Sequence, residues 1–374
     1  MKPRIAIFMS SFCDGGAERV MLNLANGMAE AQLAEVDLLV VSSTGPRKQD
    51  VNPSVNLVDL GASRIVFSVW GLVRYVVRRK PEALISALNT LNVIAILAKL
   101  LARQRGTRFI LTEHNTLSVT DKNAQLTRAK LLPFLVSVTY RFADGIVGVS
   151  HGVADDLATY ARLDRHRIEV IYNPVITPSM QKMSEQLPVH RWIGNVDIPV
   201  LLGAGRLSEQ KDFPNLLVAM VQILNQLDAR LIILGDGEQK NDLIQLAEEL
   251  GISDKVDFPG YQNNPYSFMS NVSVFVLSSR WEGLPTVLIE ALHCGARLVS
   301  TDCPSGPREI LRNGELGRLV PVADSGALAE AVIATLAEDT NVENHDAICS
   351  EYTLDYVVRR YLSYCIHGSK EGTG

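Results

Sequence analysis

Residues 273–295 read SVFVLSSRWEGLPTVLIEALHCG. Ser273 to Leu277 is a short apolar run of strand character, Ser278 to Pro285 is a turn-rich loop, and VLIEAL returns to an apolar helical period. Pro285 suits the first turn of that helix, where an N–H would be unpaired anyway. A strand that passes through a loop into a helix is half of a βαβ unit, and the same alternation runs outward in both directions. Upstream it predicts strands at Ile5–Met9, Val36–Val41, Val55–Leu60, Ala83–Ala87, Arg108–Thr112, Gly145–Val149, Ile168–Ile171, Val200–Ala204, Arg230–Leu234 and Val256–Phe258. Downstream it predicts Arg297–Ser300 and Arg318–Val320. The fold class is therefore α/β, with two doubly wound Rossmann-like domains expected over 1–175 and 199–350. Four prolines between Asn173 and Pro199 mark 176–198 as linker. A last amphipathic helix over 353–367 is expected to return to the first domain. Two such sheets would face a central cleft at the C-terminal ends of their strands, where open α/β folds bind ligands.

The bulk properties agree. At 374 residues the chain can hold two cores, and 47% apolar with 21% charged residues is the balance of a globular protein. Five scattered cysteines without a C-x-x-C pair suggest neither a disulfide framework nor a zinc site and fit reducing cytosol. The opening run is too short for a secretory segment and no stretch is long enough to span a bilayer, so a cytoplasmic location is expected. Net charge is −5, divided as +6 over 1–198 and −11 over 199–374. A basic first half can meet phosphates or an anionic membrane surface, or be a solvated face.

Three loops carry the candidate chemistry. After the first strand, Gly15 and Gly16 open a helix, which reads either as a tight turn or as an anion site built from helix amides. G-x-G-x-x-G is not present there, and Gly203-x-Gly205 has Ser208 in the third place, which excludes the dinucleotide fingerprint. After the strand Val200–Ala204, GRLSEQKDF places Arg206 and Lys211 beyond a strand end. There they either neutralise a diphosphate leaving group or are solvated charges. No D-x-D pair occurs in the chain, so a carboxylate-held metal is not expected. In the quoted stretch, Glu282 and Glu290 stand eight positions apart. Thr286 and Val287 offer unpaired amides to a phosphate, and Glu282 reaches the next group along a ligand. Glu290 lies in an apolar helix, where it either bonds ligand hydroxyls or faces solvent.

GGAERV, GRLSEQKDF and EGLPTVLIEAL-x-x-G, in that order, resemble the retaining GT-B glycosyltransferases of glycosyltransferase family 4. The resemblance runs from the first strand to the helix after DCPSGPREI. It implies that Glu282 holds hydroxyls of a donor sugar, that Glu290 holds the nucleotide ribose, and that Arg206 and Lys211 grip the diphosphate. The amides of Gly283 and Leu284 would meet the sugar and those of Thr286 and Val287 the phosphates. Gly15 and Gly16 would close over them. His114, in TEHN, matches a histidine that lies over the donor sugar in many members. Pro285 replaces a second glycine common in the family and cannot donate a backbone hydrogen bond.

The resemblance thus implies a retaining, metal-independent hexosyltransferase without a cofactor. Its donor is expected to be a nucleotide diphosphate sugar, most simply a UDP-hexose or UDP-N-acetylhexosamine. The DCPSGPREI segment is most similar to members that build surface polysaccharides, lipopolysaccharide O-antigens and lipid-linked oligosaccharides, so the expected acceptor is a glycan or lipid-linked glycan. A basic, aromatic-rich segment, 65–80, with Lys99, Arg103, Arg105, Arg108, Arg128 and Lys130, is read either as a peripheral contact with an anionic membrane or as a buried helix with a snorkelling end. Alternative readings are a sugar-nucleotide epimerase on the same fold and a non-catalytic partner subunit of a transferase. A nicotinamide-dependent dehydrogenase lacks its glycine fingerprint, and nucleic acid is not an expected partner because no aromatic-basic RNA motif occurs.

Overall fold

The computed structural model describes residues 2–13, 15–103, 105–119, 132–194, 198–338 and 345–368. The chain divides into two compact units, one made of Met1–Pro174 with Glu351–Gly374 and the other of Val175–Ser350.

The first unit is built on a seven-stranded parallel sheet of order β3-β2-β1-β4-β5-β6-β7. Its strands are β1 Arg4–Met9, β2 Glu35–Val40, β3 Asn56–Asp59, β4 Ala83–Ala87, β5 Arg108–Glu113, β6 Gly145–Gly148 and β7 Ile168–Val170. Side chains alternate across the sheet with period two. Ile5, Ile7 and Met9 therefore join one core with the helices Gly16–Glu30 and Leu354–His367. Ala6 and Phe8 join another with Ser68–Arg79, Asn89–Ala102 and His151–Ala161. Burial on both faces explains why these strands read as continuous apolar runs rather than alternating ones.

The C-terminal helix Leu354–His367 belongs to this unit, as expected. Val357, Val358, Tyr361 and Leu362 are buried in the core shared with Gly16–Glu30. Gly27 lets the two helices approach, since a Cβ there would stand 2.8 Å from Leu354 Cδ1. The Tyr364 hydroxyl accepts from the Ile146 amide at 3.1 Å, and Arg108 Nη1 donates to the carbonyls of Tyr364 and Cys365 at 2.9 and 3.0 Å. A cation on the last carbonyls satisfies acceptors that a helix end leaves unpaired.

The second unit has a six-stranded parallel sheet of order β10-β9-β8-β11-β12-β13. It comprises β8 Val200–Ala204, β9 Arg230–Leu234, β10 Val256–Gly260, β11 Val274–Leu277, β12 Leu298–Thr301 and β13 Arg318–Val320. Leu201, Leu231, Ile233, Val274, Val276 and Val299 pack one face against Phe213–Leu224, Lys240–Glu249 and Ser325–Ala337. From β8 the chain moves to β9 on one side and returns to β11 on the other, so the switch of direction falls between β8 and β11. The loops leaving two such strands diverge and leave a crevice at their carboxyl ends. Residues 176–198, read as linker, contain the helix Pro178–Ser184, and Asn264 Nδ2 donates to the Met183 carbonyl at 2.8 Å.

Candidate active site

The loop after β8 and the loop after β11 meet at that switch point. Gly205 has φ +153°, and a Cβ there would press on Lys211 Cε at 3.0 Å, so glycine lets the first loop fold over its own lysine. The Ser278 hydroxyl donates to the Lys211 carbonyl at 2.7 Å, and the Arg280 amide donates to the Gln210 carbonyl at 2.8 Å. Arg280 also pairs with buried Asp212, Nε to Oδ2 at 2.9 Å. These bonds stitch the two loops together before any ligand is considered.

Between them lies the carboxylate of Glu282. Lys211 Nζ donates to its Oε1 at 2.6 Å, Ser279 Oγ donates to the same oxygen at 2.6 Å, and Gln210 Nε2 reaches Oε2 at 3.3 Å. Both partners of the ion pair are largely buried, with side-chain exposures of 15% and 7%. A charged carboxylate is retained at such a site only when paired and hydrogen-bonded. Beside it, burial first and Glu282 second push the Cys303 thiol well above its ordinary value.

Pro285 stands one residue outside the helix Thr286–His293, at its N-cap with φ −69° and ψ 96°, rather than in the first turn. No side chain caps this end, and the first-turn amides of Thr286 and Val287 have no intrahelical acceptor. Gly306, with φ +94°, packs on Pro285 so closely that a Cβ would lie 2.4 Å from its Cδ. Gly283 and Leu284 are buried beneath this contact, while Thr286 and Val287 are half-buried. Glu290 is 1% exposed, which removes the reading in which it faces solvent. Burial, then the Glu290 carboxylate, push the Cys294 thiol up to about 12.

Lys211, Glu282, Gly283, Leu284, Thr286, Val287 and Glu290 thus fall on one loop pair and the helix that follows it. Arg206 shares the first loop, but its side chain is 77% exposed and lies 3.5 Å from Glu238. Sequence reasoning did not single out Gln210 and Ser279, which help to hold Glu282. Among the described residues no group of three or more His, Cys, Asp and Glu side chains is placed to hold a metal ion.

In the first unit Gly15 is the N-cap of Gly16–Glu30, and Glu18 folds back to accept from Ser10 Oγ at 3.0 Å. A Cβ on Gly15 would collide with that carboxylate at 2.1 Å, whereas a Cβ on Gly16 would meet nothing within 4 Å among the described residues. Gly16 therefore leaves an unobstructed approach to the helix start. His114 follows β5 on the same, C-terminal edge of the sheet. Burial draws its imidazole down to about 4, so the ring is neutral near pH 7. Its neighbour Glu113 accepts from Tyr140 and from Asn92 Nδ2, yet burial outweighs both bonds and raises its carboxyl to about 7.

The basic face read from sequence is narrower in the structure. Arg108 is committed to the C-terminal helix, and Lys99 to Asp144 at 2.6 Å and the Phe142 carbonyl. Arg128 and Lys130 lie outside the described residues. Arg74, Arg78, Arg79, Lys80, Arg103 and Arg105 are exposed, as are Phe67, Trp70, Leu100 and Leu101. No helix among the described residues is long and apolar enough to cross a membrane.

Fold and site together define a two-unit α/β protein whose second unit has two loops joined by a buried lysine–glutamate pair at a strand switch point. Residues 14–177 match the family described as Glycosyltransferase Family 4, and residues 192–354 match Glycosyl transferases group 1. The chain is 27% identical, over 90% of its length and 91% of the relative's, to the N-acetylgalactosamine-N,N'-diacetylbacillosaminyl-diphospho-undecaprenol 4-alpha-N-acetylgalactosaminyltransferase of Campylobacter jejuni. A second Campylobacter jejuni protein, GalNAc-alpha-(1->4)-GalNAc-alpha-(1->3)-diNAcBac-PP-undecaprenol alpha-1,4-N-acetyl-D-galactosaminyltransferase, is 25% identical over 96% of the chain and 97% of its own. In fold, the structure of Anabaena HepE in complex with UDP and glucose superposes with a TM-score of 0.79 at 19% identity, covering 96% of this chain and 98% of that one. The chain belongs to the GT-B glycosyltransferases of the family 4 type.

The buried pair makes a stability prediction. Lys211→Met strands the Glu282 carboxylate, and the expected cost to the second unit is about 3 kcal/mol in urea unfolding. Adding Glu282→Gln to that variant removes the charge, keeps much of the hydrogen bonding and recovers part of the loss. A Lys211→Met protein within about 0.5 kcal/mol of wild type, the range of an ordinary surface substitution, would show that the pair is not desolvated.

Proposed function

We propose that this glycosyltransferase moves a hexose or N-acetylhexosamine from a UDP-linked donor to a lipid-linked glycan, with retention at the anomeric carbon and with protein cations in place of a metal. The observation that carries the reading is the Lys211–Glu282 pair, joined at 2.6 Å beside the uncapped start of Thr286–His293. The names of the Campylobacter jejuni relatives support the lipid-linked acceptor and the N-acetylhexosamine, and the HepE complex supports UDP.

In this reading the diphosphate rests on the amides of Thr286 and Val287, its charge met by Lys211 and Arg206. Arg206 is mostly exposed and its contact with Glu238 is a surface pair, so turning it toward a ligand costs little. Glu282 and the amides of Gly283 and Leu284 take the sugar, and Glu290 takes the ribose hydroxyls. The bond between the anomeric carbon and the diphosphate oxygen breaks as positive charge grows on the sugar. Lys211, Arg206 and the helix amides stabilise the negative charge on the departing UDP. The acceptor oxygen bonds to the same carbon from the face that UDP leaves, and its hydroxyl proton passes to the leaving phosphate. Glycoside and UDP result, with no covalent enzyme intermediate.

The first unit is assigned the acceptor. Exposed Phe67, Trp70, Leu100 and Leu101, with Arg74, Arg78, Arg79 and Lys80, make a face suited to an anionic lipid surface that carries the acceptor.

At 100 times its dissociation constant UDP should stabilise the protein by about 2.7 kcal/mol, a shift of several degrees, ahead of GDP and ADP. Glu290→Gln should abolish most of that shift, and transfer should survive excess EDTA. Loss of transfer on chelation, restored by magnesium, would refute the metal-independent reading. The lipid face predicts flotation with vesicles rich in phosphatidylglycerol at low salt, weakened by high salt and by Trp70→Ala with Arg78→Glu. A protein left at the bottom of the gradient at low salt would remove the membrane assignment.

A further inference from the structure

The loop that leaves β12 is fastened to the loop that carries Glu282, within the second unit. Thr301 Oγ1 donates to the Ser279 carbonyl at 2.6 Å, and the Glu282 amide donates to the Pro304 carbonyl at 3.2 Å. A Cβ on Gly306 would stand 2.4 Å from Pro285 Cδ and 3.2 Å from Leu284 Cα. Arg308 Nε donates to Asp302 Oδ1 at 3.1 Å and braces the loop across its ends. Ser305 is the residue between the two pins at Pro304 and Gly306. Consecutive Cα atoms are about 3.8 Å apart, so its side chain starts at the rim of the strip 282–285.

Ser305 has φ +65°, in the left-handed region that favours glycine. Lys80, Arg103 and Arg162 share that sign, but each ends a helix, where a left-handed residue is ordinary. Ser305 ends no helix. A short polar side chain can offset this conformation by bonding locally, yet the Ser305 hydroxyl makes no hydrogen bond among the described residues. The residue is only half-buried, so a ligand can reach it. Glycine would occupy the position without strain and lose only the hydroxyl. Strain held in a braced loop beside a candidate ligand site, with its polar group uncommitted, is the combination expected of a recognition residue.

We propose that Ser305 is a specificity-determining residue whose hydroxyl hydrogen-bonds a ring hydroxyl or the acetamido group of the transferred sugar. This rests on the reading of the second unit as a UDP-sugar site and deepens it. The pins on either side of Ser305 fall on Glu282, Leu284 and Pro285, in the strip that takes the sugar in that reading. They do not fall on Thr286 and Val287, which take the diphosphate. The hydroxyl therefore adds to the affinity for a UDP-sugar and adds nothing to the affinity for UDP.

Calorimetric titration of the full chain with UDP and with a UDP-sugar separates the two contributions. The sugar used is whichever of UDP-glucose, UDP-N-acetylglucosamine and UDP-N-acetylgalactosamine gives the largest thermal shift with wild type. Ser305→Ala removes the hydroxyl and keeps the strain. It should weaken UDP-sugar binding about three- to tenfold, the scale of one hydrogen bond, and leave UDP within about twofold. Ser305→Gly removes both hydroxyl and strain, so it should lose the same sugar affinity while Tm rises by about 1–3 °C. A Ser305→Gly protein that binds the UDP-sugar as tightly as wild type would overturn the proposal, because the residue would then serve loop shape alone. A loss that UDP shares in full would overturn it for the same reason. Wild type that binds no nucleotide, or binds UDP and none of the three sugars, would strike the UDP-sugar reading itself and the proposal with it.

Discussion

The ion pair between Lys211 and Glu282 is the contact on which the second unit's site depends. It joins the loop after β8 to the loop after β11, and those are the two strands between which the sheet reverses direction. A cation and a carboxylate held at 2.6 Å in a largely buried position satisfy each other. They are also the two kinds of group that a sugar diphosphate requires, one for the phosphate charge and one for sugar hydroxyls. On the proposed reading, a diphosphate would share a lysine already in place instead of organising the two loops.

The same economy governs the first unit. Its sheet edge carries a glycine with an open approach at the start of Gly16–Glu30 and a neutral imidazole mounted on a closed hydrogen-bond network. Neither feature stabilises the fold by itself. Gly16 gives up side-chain packing, and His114 leaves a ring nitrogen unpaired in a buried place. Local departures from the best-packed arrangement at a strand edge are where a functional position is sought.

The strand and helix order was legible from hydrophobic period alone, because both sheets are buried on two faces and their strands stand out as β-branched runs. All thirteen expected strands are present, with ends displaced by one or two residues where polar positions such as Glu35 and Asp59 complete a ladder. Pro285 lies just outside its helix, since a cap residue keeps extended dihedrals while its carbonyl already accepts from Leu288. Within the stretch read as linker, Pro178–Ser184 forms a helix because Thr177 and Pro178 start one and Met180 finds a buried position. The residues that pair with Glu282 were only partly visible. Lys211 was named through its motif, but Ser279 and Gln210 act through loop geometry that spacing does not disclose. The Ser86–Asn92–Glu113–Tyr140 network was invisible for a plainer reason: its members lie on separate elements joined by hydrogen bonds that span up to 48 positions, and only the folded sheet brings them together.

The central claim is that the start of Thr286–His293 and the loop holding Lys211 cradle the diphosphate. Hydrogen–deuterium exchange of the full chain with and without saturating UDP tests it at the level of single peptides. The account predicts slowed exchange in peptides covering 206–212 and 283–290, with the amides of Thr286 and Val287 protected most. Protection confined to other segments, with those two peptides unchanged by a nucleotide that binds, would contradict it.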